Sequence, residues 1–186
     1  MTPVNAAIQI DIQSVTLKDG SQLTIRAILP EDAARLQSFH QRLSSETIYL
    51  RYLEYHKVLT NEEAAHLCAV DYHNRMAFVA TRFEGDEEFI VGVIRYEKLG
   101  ATGLQTAEVA ILIDDAYQRR GLGSILLNRL VDYASSEGIH VFTASFLFEN
   151  TGFMNLIRKS GLRMSLKAAV VGVYEARILL NSPLLN

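Results

Sequence analysis

The chain has 186 residues, of which 49% are hydrophobic and only three are proline, so a single well-packed domain over 1–186 is expected and a disordered chain is excluded. A formal net charge of −3, with both signs mixed along the chain, argues against a nucleic-acid binder, and the lone cysteine excludes an intrachain disulfide. No apolar run approaches the ~18 residues of a membrane span, and the first residues lack the basic-then-apolar pattern of a signal peptide, so a cytoplasmic protein is expected.

Ile8, Ile10 and Ile12 alternate with polar residues, as in a half-buried strand that continues through Val15 to Leu17. Asp19-Gly20 marks a hairpin turn into a strand over Leu23–Ile28. Pro30-Glu31-Asp32 reads as an acidic helix start, with Leu36, Phe39 and Leu43 as the apolar stripe. Ser45 is the expected cap of a second helix, and Thr60-Asn61-Glu62-Glu63 is a capping box for a third, with Ala64, Leu67 and Cys68 inward. Strands over Met76–Phe83 and Phe89–Tyr96 flank a Gly85-Asp86 turn and form a hairpin. Thr106–Ile113 is a further strand. Ser124–Glu137 is a helix with Leu122, Leu126, Leu130 and Tyr133 at helical spacing, closed by Gly138. A β-rich stretch, His140–Phe148, precedes a helix from Asn150 to Lys159 closed by Gly161. Val170–Leu180 is the last strand, and Leu162–Ala169 leaves room for one more.

The most informative stretch is Glu108 to Ser124. A strand passes through a short acidic turn into Gln118-Arg119-Arg120-Gly121-Leu122-Gly123, which opens a helix. The first N–H groups of a helix lack internal partners and its dipole is positive there, which favours an anion. Gly121 and Gly123 allow close backbone approach, and Arg119 and Arg120 add charge suited to phosphate. There is no Gly-Lys-Ser/Thr ending for a P-loop, and Leu126 stands where a dinucleotide fingerprint needs its third glycine.

Gln118, Gly121 and Gly123 instead fit Gln/Arg-x-x-Gly-x-Gly/Ala, which resembles the acetyl-CoA pyrophosphate loop of the general N-acetyltransferase (GNAT) superfamily. The element order agrees with that resemblance from about Leu23 to Leu180. Glu149-Asn150, followed by a helix ending Arg158-Lys159-Ser160-Gly161-Leu162, is similar to the family's second cofactor motif. Leu29 to Leu53 resembles the acetyltransferase domain of bacterial Pat-type protein lysine acetyltransferases. The resemblance implies a mixed α/β fold: a mostly antiparallel twisted sheet with one splayed strand pair and helices on both faces.

It also implies acetyl-CoA as acyl donor; no metal is expected, because the five histidines form no ligand pattern such as His-Glu-x-x-His. Main-chain groups of Ile111 and Ile113 would pair with the pantetheine arm. The backbone of Gln118, Arg119, Arg120, Gly121, Leu122, Gly123 and Ser124 would hold the phosphates, and Asn150 would act as a helix cap, a cofactor contact or both. The candidate base is Glu108, on one face of its strand with Ala110 and Leu112 while Val109, Ile111 and Ile113 take the other. The alternative is a strand-end glutamate paired with a cross-strand cation such as Arg95, or simply solvated. The tyrosine that often serves as acid in the family is replaced by Ile157, leaving Tyr117, Tyr133 and Tyr174 or solvent.

The region 44–71 would wall the acceptor site. Its Glu46, Glu54, Glu62, Glu63 and Asp71, with Tyr49, Tyr52 and Tyr55, suit a cationic amine; the alternative is a solvated acidic face over packed tyrosines, its acidity diluted by Arg42, Arg51, His56 and Lys57. The expected acceptor is a primary amine, a protein lysine first and a small-molecule amine second. A non-catalytic acyl-CoA sensor stands as the other class, and monomer and homodimer both remain open.

Overall fold

The computed structural model describes residues 12–52, 58–100, 105–170 and 172–180. Eight strands form one sheet: β1 (Gln13–Thr16), β2 (Gln22–Ala27), β3 (Arg75–Glu84), β4 (Glu87–Lys98), β5 (Thr106–Ile113), β6 (Val141–Leu147), β7 (Arg163–Val170) and β8 (Val173–Leu179). The helices are α1 (Ala33–Gln41), α2 (Ser45–Tyr52), α3 (Asn61–Cys68), α4 (Leu122–Ser136) and α5 (Thr151–Ser160). Strand order is β1-β2-β3-β4-β5-β6-β8-β7. Every neighbouring pair is antiparallel except β5 and β6. The mostly antiparallel α/β sheet is therefore as expected. The ambiguous stretch after Gly161 is β7, an edge strand paired with β8. Of the expected strand over Ile8–Ile12, only Ile12 lies within the described residues; it is exposed and precedes β1.

The pleat sends alternate side chains to two separate cores. On one face Met76, Phe78, Ile94, Tyr96, Ala107 and Val109 pack under α4 and α5. On the other, Ala77, Val79, Ile90, Val93 and Leu112 pack under α1, α2 and α3. Helix α4 buries Leu122, Leu126, Leu127, Leu130 and Ala134, each large side chain contributing roughly 1.5–3 kcal/mol. It ends in a Schellman motif, in which Ile139 N donates to Ala134 O (2.9 Å) and Gly138 N to Ser135 O (3.1 Å). Gly138 supplies the left-handed residue, φ 74°.

Local capping follows the chain closely, with one correction. Thr60 and Glu63 form the reciprocal capping box of α3. Helix α2, however, is capped by Ser44 rather than Ser45: Thr47 N donates to Ser44 Oγ at 3.2 Å. The start of α1 is pinned by charge. Asp32, fully buried, accepts from Arg26 Nη1 (2.6 Å) and Nη2 (2.8 Å) and from Leu29 N (2.9 Å). Arg26 also binds Glu88 on β4, and Arg35 joins Asp32 at 3.1 Å. The network ties α1 to β2 and β4.

Candidate active site

Strand β5 has two unlike neighbours. It pairs with β4 from Ala107–Lys98 to Ile113–Gly92. With β6 the parallel pairing runs through Thr106–Val141, Ala107–Phe142 and Glu108–Thr143, and then stops. Backbone groups alternate sides along a strand. Leu99 N donates to Thr106 O and Asp114 N to Val91 O, both at 2.9 Å, so the even-numbered residues of β5 address β4. The amides and carbonyls of Ile111 and Ile113, beyond the last paired position, therefore face the gap that opens toward β6. This is the splay expected from the resemblance.

The loop after β5 closes one end of that gap. Arg119 and Gly121 both have left-handed backbone, φ 59° and 97°. Ser124 N and Ile125 N return to Gly121 O at 3.1 and 3.3 Å, while no acceptor is found among the described residues for the amides of Arg119 through Gly123. A run of outward N–H groups at the positive end of α4 is a cradle for an anion. Gly123 sits where a Cβ would lie 3.3 Å from Ile113 Cδ1 and 3.4 Å from Leu156 Cδ1, so α4 approaches β5 and α5 closely. An elongated, anionic donor such as acetyl-CoA fits both features: a strand edge with unused backbone groups, and unpaired amides at its end.

Not every candidate faces this cleft in the way the motif suggests. Gln118 donates through Nε2 to Thr47 Oγ1 and to Ile113 O, each at 3.1 Å. Its side chain is thus a tie between α2 and β5, and the Ile113 carbonyl already has one donor. Leu122 is buried, so only its main chain is available. Arg120 forms an ion pair with Asp19 and lies over the Tyr117 ring, 5.4 Å from its centroid. Arg119 is exposed, with no ion pair among the described residues. Ser124 is half-buried in the first turn of α4. Asn150 caps α5, its Oδ1 accepting from Phe153 N at 3.0 Å.

Residues outside the motif hold the loop. Asp115 accepts from Ser44 N (2.9 Å), Ser44 Oγ (2.6 Å) and Thr47 Oγ1 (2.7 Å). Burial would raise its carboxyl, but these hydrogen bonds outweigh that and hold it below the ordinary aspartate range. Arg42 reaches Asp114 at 3.7 Å and donates to Ile90 O at 2.7 Å. From the β1–β2 turn, Lys18 Cε comes within 3.8 Å of where a Gly121 Cβ would stand. These partners lie at least 68 residues away from the loop in sequence, so no local spacing pointed to them.

Glu108 occupies the last paired position before the gap and shares its face with Ala110 and Leu112. It is exposed rather than buried. The cross-strand cation considered for it is not opposite: Arg95 pairs with Ala110, and Glu97 stands across from Glu108. Glu97 has Arg75 as a neighbour at 3.7 Å, whereas Glu108 has no ion pair among the described residues. Ile157 is buried in the α5 core. Tyr133 is turned away, its hydroxyl donating to Tyr72 O (2.6 Å) and its ring edge-on to Phe78.

The acidic residues expected to wall the acceptor site have separate places among the described residues. Glu46 and Glu62 are exposed, Glu63 closes the α3 cap, and Asp71 accepts from His73 N, Asn74 N and Arg75 N to organise a turn. Glu54 and Tyr55 lie outside the described residues. Between α1–α3 and β4–β5 lies instead a cavity of about 70 Å³ whose lining includes Arg51, Tyr52, Arg95, Ala110 and Ile111. Burial above all, and then the charge of Arg51, pulls the Arg95 guanidinium down to about 10.

Residues 22–163 match the Acetyltransferase (GNAT) domain family. The chain is 35% identical over 133 residues to an acetyltransferase of Pseudomonas aeruginosa, covering 72% of this chain and 70% of that protein. It is 31% identical over 147 residues to the acetyltransferase Pat of Mycolicibacterium smegmatis, covering 79% of this chain but only 43% of that longer protein. The crystal structure of the GNAT domain of S. lividans PAT superposes with a TM-score of 0.80 at 28% identity, covering 91% of this chain and 97% of that one. With the splayed β5–β6 pair and the amide-rich loop at the head of α4, these similarities establish that the chain belongs to the GNAT family and is an acetyl-CoA-dependent N-acetyltransferase.

Proposed function

We propose that the enzyme acetylates a primary amine by direct attack on the donor's thioester, with Glu108 as the base. The observation that carries this reading is the end of β5–β6 pairing at Glu108–Thr143. Beyond it the Ile111 and Ile113 amides face an open edge on which a pantetheine arm adds like a strand, and a main-chain N–H there polarises the thioester oxygen. The amides from Arg119 to Gly123 receive the phosphates, with Arg119 and the loop-bound Arg120 supplying positive charge; Ser124, its own amide bound to Gly121 O, offers its hydroxyl. Asn150 contributes its cap and, through its remaining amide, a cofactor contact.

The chemistry asks little beyond this. An alkylamine of pKa ≈ 10.4 is about one part in 10³ neutral near pH 7.4. Glu108 takes the ammonium proton, the neutral nitrogen forms its bond to the acetyl carbon and gives up a second proton to solvent, and the carbon–sulfur bond breaks. The CoA thiolate leaves and is protonated by solvent, because the buried Ile157 supplies no acid. A thiol is an adequate leaving group near neutrality. The resemblance of Leu29–Leu53 to Pat-type enzymes supports a protein lysine as acceptor, and the small cavity beside Ala110 supports a compact amine.

Calorimetric titration with acetyl-CoA, followed in the same sample by thiol release on adding amines and lysine-containing proteins, tests the reading. Micromolar binding with acceptor-dependent release is expected. Binding without release to any acceptor would convert the reading to a sensor, and absence of binding would remove the cleft as the donor site.

A further inference from the structure

The cavity on the α1–α3 face holds two guanidiniums and no carboxylate among its described lining residues. Arg95 carries five N–H donors. The acceptor found for them among the described residues is Leu67 O, at 3.2 Å from Nη1. Arg51 lies over the Tyr52 ring, 5.0 Å from its centroid, and makes no ion pair among the described residues. Buried charges are ordinarily paired, because leaving water without a partner is costly. The lowered ionisation of Arg95, caused first by burial and then by the charge of Arg51, accords with that deficit among the described residues. Elsewhere this chain does pair its buried arginine: Arg26 has both Asp32 and Glu88.

The position matters as much as the charge. Arg95 stands directly across from Ala110, two residues along the same face of β5 from Glu108, which is roughly 7 Å in a strand. The cavity also touches Ile111, whose amide faces the donor cleft. Its volume of about 70 Å³ is several times the ~10–15 Å³ that one water needs.

We propose that this cavity is an anion subsite in which Arg95 and Arg51 take a carboxylate of the reacting molecules, so that the favoured acceptor is a small amine that also carries a carboxylate. The inference rests on the acetyltransferase reading above and deepens it by naming the substrate class. Glu108 and the residue opposite Arg95 are neighbours on one face of β5, so an acceptor held at both carries its amine and its carboxylate close together, as an amino acid does. The same chemistry has a second source, the terminal carboxylate of a dicarboxylic acyl group on CoA, and the two sources separate experimentally.

The test is steady-state thiol release with two arms. In the first, acetyl-CoA is the donor, and the standard amino acids are compared with their C-terminal amides. In the second, the amides are acceptors, and succinyl-CoA is compared with acetyl-CoA. The first source predicts that kcat/KM for the acids exceeds that for the amides by about 10- to 100-fold, the range of hydrogen bonds to charged groups. R51Q should erase most of that preference through KM. The second source predicts the same discrimination between donors instead. R95M is the stronger variant but removes a tie to Leu67 O, so R51Q, on the half-buried helix α2, keeps the test open if R95M misfolds. Equal use of acids and amides together with equal use of both donors overturns the subsite, as does turnover confined to lysine-containing peptides and indifferent to R51Q. Calorimetric acetyl-CoA binding in the same preparations separates that outcome from failure of the donor cleft.

Discussion

The sharpest single perturbation is Glu108→Gln. Glu108 is exposed and has no ion pair among the described residues, so the substitution removes nothing from the fold; the midpoint of denaturation should move by no more than surface substitutions do, within about 0.5 kcal/mol. Catalysis should not be spared. A positioned base contributes roughly 10²–10⁴-fold, which corresponds to about 3–5 kcal/mol of activation free energy. The pH dependence provides the internal check. Without a base only the neutral amine reacts, and below the amine pKa its fraction rises about tenfold per pH unit. The variant's kcat/KM should therefore climb with unit slope toward the amine pKa, and the gap to the native enzyme should shrink as it does. The assay is thiol release at saturating acetyl-CoA from pH 6 upward, with calorimetry confirming that donor affinity is retained. An unchanged kcat and an unchanged profile would refute Glu108 as base. A parallel loss of acetyl-CoA binding would instead assign it to the architecture of the strand pair.

Other outcomes are expected at three sites. Arg26→Met leaves buried Asp32 with only the more exposed Arg35 as a cation among the described residues and should destabilise by about 3–5 kcal/mol in urea; a loss under 1 kcal/mol would contradict the network's role. Burial raises the Asp32 carboxyl but hydrogen bonds from Arg26 hold it below its ordinary value. Its stabilisation is therefore full above the unfolded-state aspartate pKa and lost as pH falls through the lowered folded value, and the acid limb of a stability–pH curve should flatten in R26M. Burial, with the charge of Asp32 next, pushes the Cys68 thiol up to about 11, so a disulfide reagent should leave the native protein unlabelled over minutes and modify one thiol after denaturation; rapid native labelling would contradict its burial. Asn150→Ala removes the cap hydrogen bond to Phe153 N at about 1 kcal/mol, whereas Asn150→Asp keeps the cap. If Asn150 also contacts the donor, the aspartate variant should lose acetyl-CoA affinity without losing stability.

Much of this enzyme was legible residue by residue because the signals are local. The capping box at Thr60–Glu63, the glycine stops at Gly138 and Gly161, the turn at Gly85 and the period of α4 each depend on neighbours within one or two turns. The anion loop belongs to the same class, since the glycines at 121 and 123 and the head of α4 are contiguous. What the chain hid were relations across long separations. Ser44 and Thr47 gripping Asp115, Asp19 gripping Arg120, and Gln118 turning inward to Thr47 and Ile113 leave no mark in spacing, because the partners are set by packing rather than by period.

The acceptor face separates the two kinds of information most clearly. A count of carboxylates between Ser44 and Asp71 suggested an acidic wall, yet those described are spent on a cap, a turn and solvent. The cavity takes its charge instead from Arg51 on α2 and from Arg95 on β4, a strand that the count did not include. By itself the order of residues determined the elements, their caps, the anion loop and the alternation that puts Glu108 opposite in face to Ile111. Only the tertiary structure decided where β5 parts from β6 and which charges meet in the space between sheet and helices, because strand register and side-chain convergence depend on the whole sheet and both of its cores packing at once.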